Sequence, residues 1–212
     1  VVGYLIGIFL RKKISVLNPL LVSIIFVIAV IKIFHIDYET YNSGAKYISY
    51  LLTPATVCLA IPLYRQISVL KEHAKEVFIG ILAGVLASMG SILLMSYLFG
   101  LTHEQYVTLL PKSITTAIGM GVSEELGGIQ TITVAVIIIT GVLGNIIAEA
   151  VLKIFRIKEP VAKGLAIGTA SHAIGTTKAL EIGEIEGAMS SLSVAVAGLM
   201  TVISASIFAN MM

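Results

Sequence analysis

Three long stretches of this chain contain no charged side chain, and they constrain its fold more than any other feature. They cover residues 77–99, 129–148 and 188–212, and a helix needs roughly 20 apolar residues to cross the hydrocarbon core of a bilayer. The composition agrees, because 57% of the residues are hydrophobic and 12% are charged, whereas soluble domains average about 25% charged residues. The chain is therefore predicted to be an all-α polytopic membrane protein.

Two earlier apolar stretches are less regular. Residues 14–34 are predicted to form a membrane-crossing helix. Residues 47–64 contain Pro54 and Pro62, and each proline removes a backbone donor, so a kinked or interrupted helix is expected there. The apolar residues before Arg11 are interpreted as the end of a helix that begins upstream.

A polar phrase occurs twice between the apolar stretches. It reads Ser-Ile-Thr-Thr-Ala-Ile-Gly at residues 113–119 and Thr-Ala-Ser-His-Ala-Ile-Gly at residues 169–175. Each copy is too short and too polar to span a bilayer, and each is followed by an acidic stretch and then by a long apolar run. Repeated polar segments with glycines, at corresponding positions of a membrane protein, indicate a substrate site between two structural repeats.

The basic residues predict an orientation. They form clusters at residues 11–13, 65–75 and 153–163. Placing all three clusters on the cytoplasmic side satisfies the positive-inside rule and leaves only Lys32, Lys46 and Lys112 of the 14 Lys and Arg residues outside. Residues 109–128 must then enter and leave on the outer side, and residues 164–187 on the inner side. This predicts inverted repeats with two opposed re-entrant hairpins whose tips meet near the midplane, the first tip near residues 116–121.

The whole chain, residues 1–212, is predicted to be a single membrane domain. Residues 1–99 are expected to form a scaffold, and residues 100–212 a transport half that contains both hairpins. The net charge of +2 gives no reason to expect nucleic-acid binding. Cys58 is alone, and neither a metal-ligand spacing nor a nucleophile–base pair is present. We therefore expect no enzyme activity, no metal and no cofactor.

Several segments resemble the LrgB/CidB family. The most specific is Gly-Thr-Ala-Ser-His-Ala-Ile-Gly-Thr at residues 168–176. Further similar segments extend the resemblance over nearly the whole chain, at residues 18–22, 60–64, 110–116, 127–129, 140–144 and 186–191. The chain differs from many relatives at Ala117, where proline is common, and at Glu149, where histidine is often found.

The resemblance implies two kinds of function. Bacterial members of the family are called antiholin-like and are linked to control of murein hydrolase activity and cell lysis, usually beside a small membrane partner of the LrgA/CidA type. A plastid relative translocates glycolate and glycerate, and bacterial members have been connected with pyruvate uptake. The implied location is the bacterial inner (cytoplasmic) membrane.

A site for a small monocarboxylate needs donors that face the anion. Hydroxyls of both phrases, backbone N–H groups at the hairpin tips and helix-end dipoles would supply them. His172 is proposed to contact the carboxylate or to couple a proton to transport. The predicted substrate-binding residues are Ser113, Thr115, Thr116, Gly119, Asn145, Thr169, Ser171, His172, Gly175, Thr176 and Thr177.

Each of these residues has a structural alternative. Ser and Thr hydroxyls in membrane helices commonly bond carbonyls of their own helix. His172 could equally make a structural bond between helices, and Asn145 could line a cavity or cross-link helices. Glu149 is expected to be solvated at the membrane interface or to pair with Lys153, four residues further on, rather than to couple an ion. Small residues recur at Gly80, Gly84 and Ser88, which favours tight helix packing, with a dimer contact as the other interpretation.

The sequence leaves two functions open. The first prediction is a secondary transporter of small monocarboxylates such as glycolate, glycerate, pyruvate or lactate, working as a homodimer by elevator-like alternating access. The alternative is an antiholin-like regulator of murein hydrolase activity and lysis that acts with an LrgA/CidA-type partner and transports nothing.

Overall fold

The computed structural model describes residues 2–13, 19–51, 54, 60–65 and 67–212. Across these residues the regular structure is helical, with no strand. The contacts divide the chain into two compact units, residues 1–58 and residues 59–212.

The first unit contains α1 (Val2–Lys13), α2 (Pro19–Ile33) and α3 (Tyr38–Ser49). α1 packs against α2 through glycine, because a Cβ on Gly7 would lie 2.7 Å from the backbone of Pro19. α3 is polar, and Asp37 caps it by accepting a 3.1 Å hydrogen bond from the backbone N–H of Thr40. Hydrogen bonding to Thr40 lowers the pKa of the Asp37 carboxyl below its ordinary value.

The two early span predictions are met only in part. α2 lies within the predicted 14–34 span, although residues 14–18 lie outside the described residues. The predicted start of a helix at residue 47 is wrong, because helix begins at Tyr38. The kink expected within 47–64 falls largely on residues 52–53 and 55–59, which are outside the described part.

The second unit contains the remaining helices of the described chain. They are α4 (Ala60–Arg65), α5 (Ile67–Glu72), α6 (Ala74–Phe99), α7 (His103–Leu109), α8 (Thr116–Glu125), α9 (Gln130–Ile154), α10 (Pro160–Ile182) and α11 (Glu184–Ala209).

Three of these helices, α6, α9 and α11, are long and apolar enough to cross a membrane. The prediction that the three long apolar stretches form helices is confirmed. Large apolar side chains stay exposed along them, as with Phe99 at 74% and Leu199 at 63%. Exposure on that scale would be costly in water and is expected against lipid.

Local sequence signals account for the helix ends. Gly100 adopts a left-handed conformation with φ of 62° and ends α6. Thr102 and Gln105 then form a reciprocal capping box that starts α7. Pro160 stands in the first turn of α10, where its missing N–H costs nothing. Residues 184–187, predicted as the end of the second hairpin, form the first turn of α11.

The closest packing joins α10 to α11 through glycines. A Cβ on Gly164 would lie 2.5 Å from the carbonyl oxygen of Glu186, and one on Gly168 would lie 2.5 Å from that of Ser190. Glycine at these positions lets the two backbones approach each other, as small residues do in membrane helix pairs. Tyr106 and Met189 are fully buried in the surrounding apolar core.

Gly168→Ala should destabilise the fold, because the new methyl group would force α10 away from α11. Over-packing of this kind costs about 1–3 kcal/mol. Gly90→Ala on α6 is the matched control, since nothing lies within 4 Å of its added Cβ. Unfolding in detergent, followed by circular dichroism, measures both variants. Equal unfolding temperatures would contradict the packing described here.

Candidate functional site

α10 is broken inside the second polar phrase. Ser171 has φ of −134° and ψ of 18°, and His172 has φ of 43° and ψ of −144°. Positive φ at a residue with a side chain is sterically strained, at a cost of about 1–3 kcal/mol, and such residues cluster at functional sites. The helix therefore consists of two halves, joined at a strained junction rather than by a glycine turn.

α9 provides the space and the hydrogen bond that hold this junction. His172 is 2% exposed, and its Nε2 lies 2.9 Å from the carbonyl oxygen of Ile137. Because a carbonyl only accepts, Nε2 carries the proton and donates. A Cβ on Gly141 would lie 2.7 Å from the imidazole, and a side-chain carbon on Gly144 would collide with Ser171. The Gly-Val-Leu-Gly sequence of α9 thus leaves room for the break.

Most predicted hydroxyls of the second phrase bond carbonyls of their own helix. Thr169 donates to Leu165 at 2.7 Å, Ser171 to Ile167 at 2.8 Å, and Thr177 to Ile174 at 2.7 Å. Thr176 donates to the carbonyl of His172 at 3.0 Å and lies 2.9 Å from the hydroxyl of Ser190. These bonds to carbonyls lie within α10 and stabilise its two halves.

Asn145 connects α9 to the second half of α10. Its Nδ2 donates to the carbonyl of Ile174 at 3.0 Å and to the hydroxyl of Thr177 at 2.9 Å. This is the cross-linking role that the sequence left open for Asn145.

A cation and two hydroxyls lie together at the start of the first phrase, where the second phrase has an imidazole. Lys112 Nζ donates to the hydroxyl of Ser113 at 2.9 Å and approaches that of Ser88 on α6 at 3.4 Å. Ser88 donates to Ser113 at 2.9 Å. Thr115 and Thr116 begin α8, with Thr115 as the extended N-cap.

A cavity of about 740 Å³ joins parts of the two phrases. Ser113 and Thr169 both line it, beside Lys112 and Ser88. Its other walls are mostly small or apolar: Gly80, Gly84, Ala87, Val161, Ala162, Leu165, Ala166 and Ala170, with His73, Glu76 and Glu159 also present. The remaining predicted residues are not among its lining residues. They are Thr115, Thr116, Gly119, Asn145, Ser171, His172, Gly175, Thr176 and Thr177.

Both phrases also meet at Ile137 of α9. A Cβ on Gly119 would collide with the side chain of Ile137, while His172 hydrogen-bonds the Ile137 carbonyl. Gly175 likewise leaves room for Ser171. These two glycines permit packing and do not face the cavity.

Lys112 and Ser88 are not among the predicted site residues, yet both line the cavity. The sequence placed Lys112 on the outer side of the membrane and Ser88 in a series of small residues that favours helix packing. The small-residue series did predict packing correctly, because Gly80 faces Leu165 and Gly84 faces Thr169 on α10. The sequence feature that points to Lys112 as a cavity residue is its position directly before the hydroxyl-rich first phrase.

A second polar cluster was missed. Thr133 Oγ1 lies 2.7 Å from the hydroxyl of Ser123 and 2.9 Å from the carbonyl of Thr108. Thr108 Oγ1 accepts the backbone N–H of Ile129 at 2.8 Å. The cluster fastens the turn between α8 and α9, so its role is structural.

Three acidic side chains, one each on α9, α10 and α11, contact lysines. Glu149 lies 2.5 Å from Lys178 on α10, a different partner from the predicted Lys153. Lys178 also contacts Glu181 at 3.1 Å, and Lys163 contacts Glu186 at 3.5 Å. Among the described residues, no group of three His, Cys, Asp or Glu side chains could hold a metal ion.

These features define a class: a polytopic α-helical membrane protein in which a strained helix break lies beside a cavity with a lysine. The LrgB-like family profile matches residues 1–211. The chain is 38% identical over 192 residues to the antiholin-like protein LrgB of Bacillus mycoides, an alignment that covers 91% of this chain and 84% of the relative.

The same identity and coverage hold for the antiholin-like LrgB proteins of Bacillus cereus strain B4264 and Bacillus anthracis strain CDC 684. No solved structure matches the chain. The chain belongs to the LrgB-like family, and this confirms the resemblance read from its sequence.

Replacing His172 tests the strained junction. At an ordinary helix position alanine is more stable than glycine by about 1 kcal/mol. At residue 172 the order should reverse, because glycine adopts this backbone conformation freely and alanine does not. Both variants lose the bond to Ile137, so that loss cancels. Detergent-based unfolding should show His172→Gly more stable than His172→Ala.

Ala173→Gly is the control, because Ala173 follows the break within α10. Ala173→Gly should destabilise the protein by about 1 kcal/mol, as at an ordinary helix position. If His172→Ala proved the more stable of the two His172 variants, the strain at this residue would be refuted.

Proposed function

We propose that this chain is an antiholin-like membrane protein that restrains lysis. The observation that carries the proposal is the family match over residues 1–211, together with relatives named antiholin-like at 38% identity. The three long apolar helices suit a protein that acts within a membrane. The role includes control of murein hydrolase activity in the bacterial cytoplasmic membrane and assembly with a small membrane partner of the LrgA/CidA type.

The lysis role is tested by producing the protein in bacteria that also express a holin and a murein hydrolase. The expected result is a delay in lysis, measured by culture turbidity, and less murein hydrolase activity outside the cells. An unrelated polytopic protein present at the same membrane level is the control. Lysis at the control's time would count against the proposal.

A second function, transport of small monocarboxylates, is favoured by one specific observation. Lys112 extends into the 740 Å³ cavity, where its hydrogen-bond partners in the described chain are the hydroxyls of Ser113 and Ser88. An ammonium with two neutral hydroxyls is suited to bind one carboxylate and one adjacent oxygen. The small and apolar walls favour a short organic anion over a larger polar one.

The arrangement of helices supports alternating access. α7, the loop 110–115, α8 and α9 follow one another as short helix, break, short helix and long helix. The two halves of α10 and then α11 repeat that order. We propose that these two series are inverted repeats, that both breaks lie near the midplane as re-entrant hairpins, and that residues 100–212 move in an elevator-like manner. We propose that the protein transports its substrate as a homodimer.

Uptake of labelled glycolate, pyruvate and lactate into liposomes tests transport. Wild-type protein should accumulate at least one of these acids. Lys112→Gln should lower uptake by at least tenfold, because a charge-assisted hydrogen bond is worth about 1.5–3 kcal/mol and roughly 1.4 kcal/mol corresponds to tenfold. Lys46→Gln, on the exposed polar helix α3, is the matched control and should leave uptake unchanged.

The two functions can be separated with the same variant. If lysis control depends on transport, Lys112→Gln should also abolish the lysis delay. If the protein acts by assembly alone, the variant should delay lysis normally. Absence of uptake by folded wild-type protein for all three acids would refute the transport function and leave the lysis role standing.

A further inference from the structure

A second cavity lies where α9 ends. It has a volume of about 580 Å³, and four cationic side chains line it: Lys153, Arg156, Lys158 and Lys163. Its apolar walls are Leu152, Ile157 and Ile182, and its acidic residue is Glu149. None of the residues proposed above to bind a carboxylate lines this cavity, so it is a separate feature of the molecule.

The charges in this cavity favour an anion. Glu149 is held by Lys178 at 2.5 Å, which offsets the carboxylate. Lys163 contacts Glu186 only at 3.5 Å, which is long for a charge-assisted hydrogen bond. Lys153, Arg156 and Lys158 are exposed and add positive charge beside the carboxyl end of α9, where the helix dipole favours cations.

Arg156 has an unusual backbone conformation. Its φ is 55°, and the helix end is a Schellman motif in which the Ile157 N–H donates to Leu152 at 2.9 Å and the Arg156 N–H to Lys153 at 3.2 Å. The left-handed position of this motif usually holds glycine, because a side chain there costs roughly 1 kcal/mol. Arginine occupies this position in spite of that cost, and its side chain lines the cavity.

The side chains beside the cavity are suited to the membrane interface. Ile154 is 73% exposed and Phe155 is 71% exposed, and both lie between Lys153 and Arg156. α9 is one of the helices long enough to cross a bilayer, so its end lies where acyl chains meet headgroups. Apolar and aromatic side chains interleaved with basic ones are typical of segments at that depth.

We propose that this cavity binds the phosphodiester headgroup of an anionic phospholipid. The guanidinium of Arg156 and the ammonium groups of Lys153 and Lys158 contact the phosphate, and the acyl chains lie along Ile154 and Phe155. A soluble phosphate ester offers the same charged group but no acyl chain to cover those two exposed side chains. The proposal is independent of both functions argued above.

Thermal unfolding of the purified full chain in detergent tests the site, with phosphatidylglycerol added at increasing amounts. Phosphatidylglycerol should raise the unfolding temperature in a saturable manner. Phosphatidylcholine, which has no net charge, and glycerol 3-phosphate, which has no acyl chain, should each bind at least tenfold more weakly. Stabilisation by either of these two equal to that by phosphatidylglycerol would overturn the assignment.

Arg156→Gly separates the binding role from the structural one. Glycine relieves the left-handed strain, so the variant should unfold at a higher temperature than wild type without lipid. It should nevertheless need at least fivefold more phosphatidylglycerol for half-maximal stabilisation. Lys153→Gln combined with Lys158→Gln provides a second variant with the same expected loss.

Lys71→Gln combined with Lys75→Gln is the matched control, since both lysines are exposed and belong to the other basic cluster of this unit. These substitutions should leave lipid binding unchanged. An equal loss of lipid binding in this control would mean that binding depends on the overall charge of the protein, which would contradict the site. Unchanged lipid binding by both Arg156→Gly and the Lys153/Lys158 variant would refute it.

Discussion

The hydrogen bond between His172 and the Ile137 carbonyl is the interaction on which the arrangement around the helix break depends. A buried imidazole N–H needs an acceptor inside the protein. α9 supplies the Ile137 carbonyl, one turn before Gly141, the residue whose missing side chain lets the imidazole approach. The hydroxyls of Thr169 and Thr176 also donate to carbonyls of α10, those of Leu165 and His172.

This arrangement gives the two polar phrases different chemistry. The second phrase uses most of its polar groups to stabilise its own break. The first phrase does not have to stabilise a break inside a helix. It begins in the loop 110–115 between α7 and α8, and the side chains of this loop are available for other contacts. The proposed site therefore takes its charge from Lys112, although the more distinctive phrase is the one that contains His172.

The sequence predicted the membrane class and the three long helices because a run of apolar residues has a direct physical meaning in a bilayer. It also indicated where α10 breaks, within the second phrase. The predicted position of the first hairpin tip, residues 116–121, is wrong, because these residues belong to α8 and the break before them lies at residues 110–115. The sequence could not predict which hydroxyls face a cavity. That depends on the rotation of each helix half, which here follows from glycines such as Gly84 and Gly144 meeting Thr169 and Ser171. Nor could it predict that Tyr38 begins a helix, because that stretch is polar and its Asp37 cap is a short signal among loop residues.

The partners of Lys112 differ from those of other lysines in the second unit. Where a lysine has a structural role near the helix interfaces, the chain pairs it with a carboxylate, as Lys163 with Glu186 and Lys178 with Glu149. Lys112 is partly buried as well, yet its partners in the described chain are two serine hydroxyls. Glu76 and Glu159 line the same cavity, but no ion pair joins either of them to Lys112 within the described residues. A partly buried cation without a fixed counter-ion has lost solvation that nothing fully replaces, and an anionic ligand that enters the cavity would offset that cost.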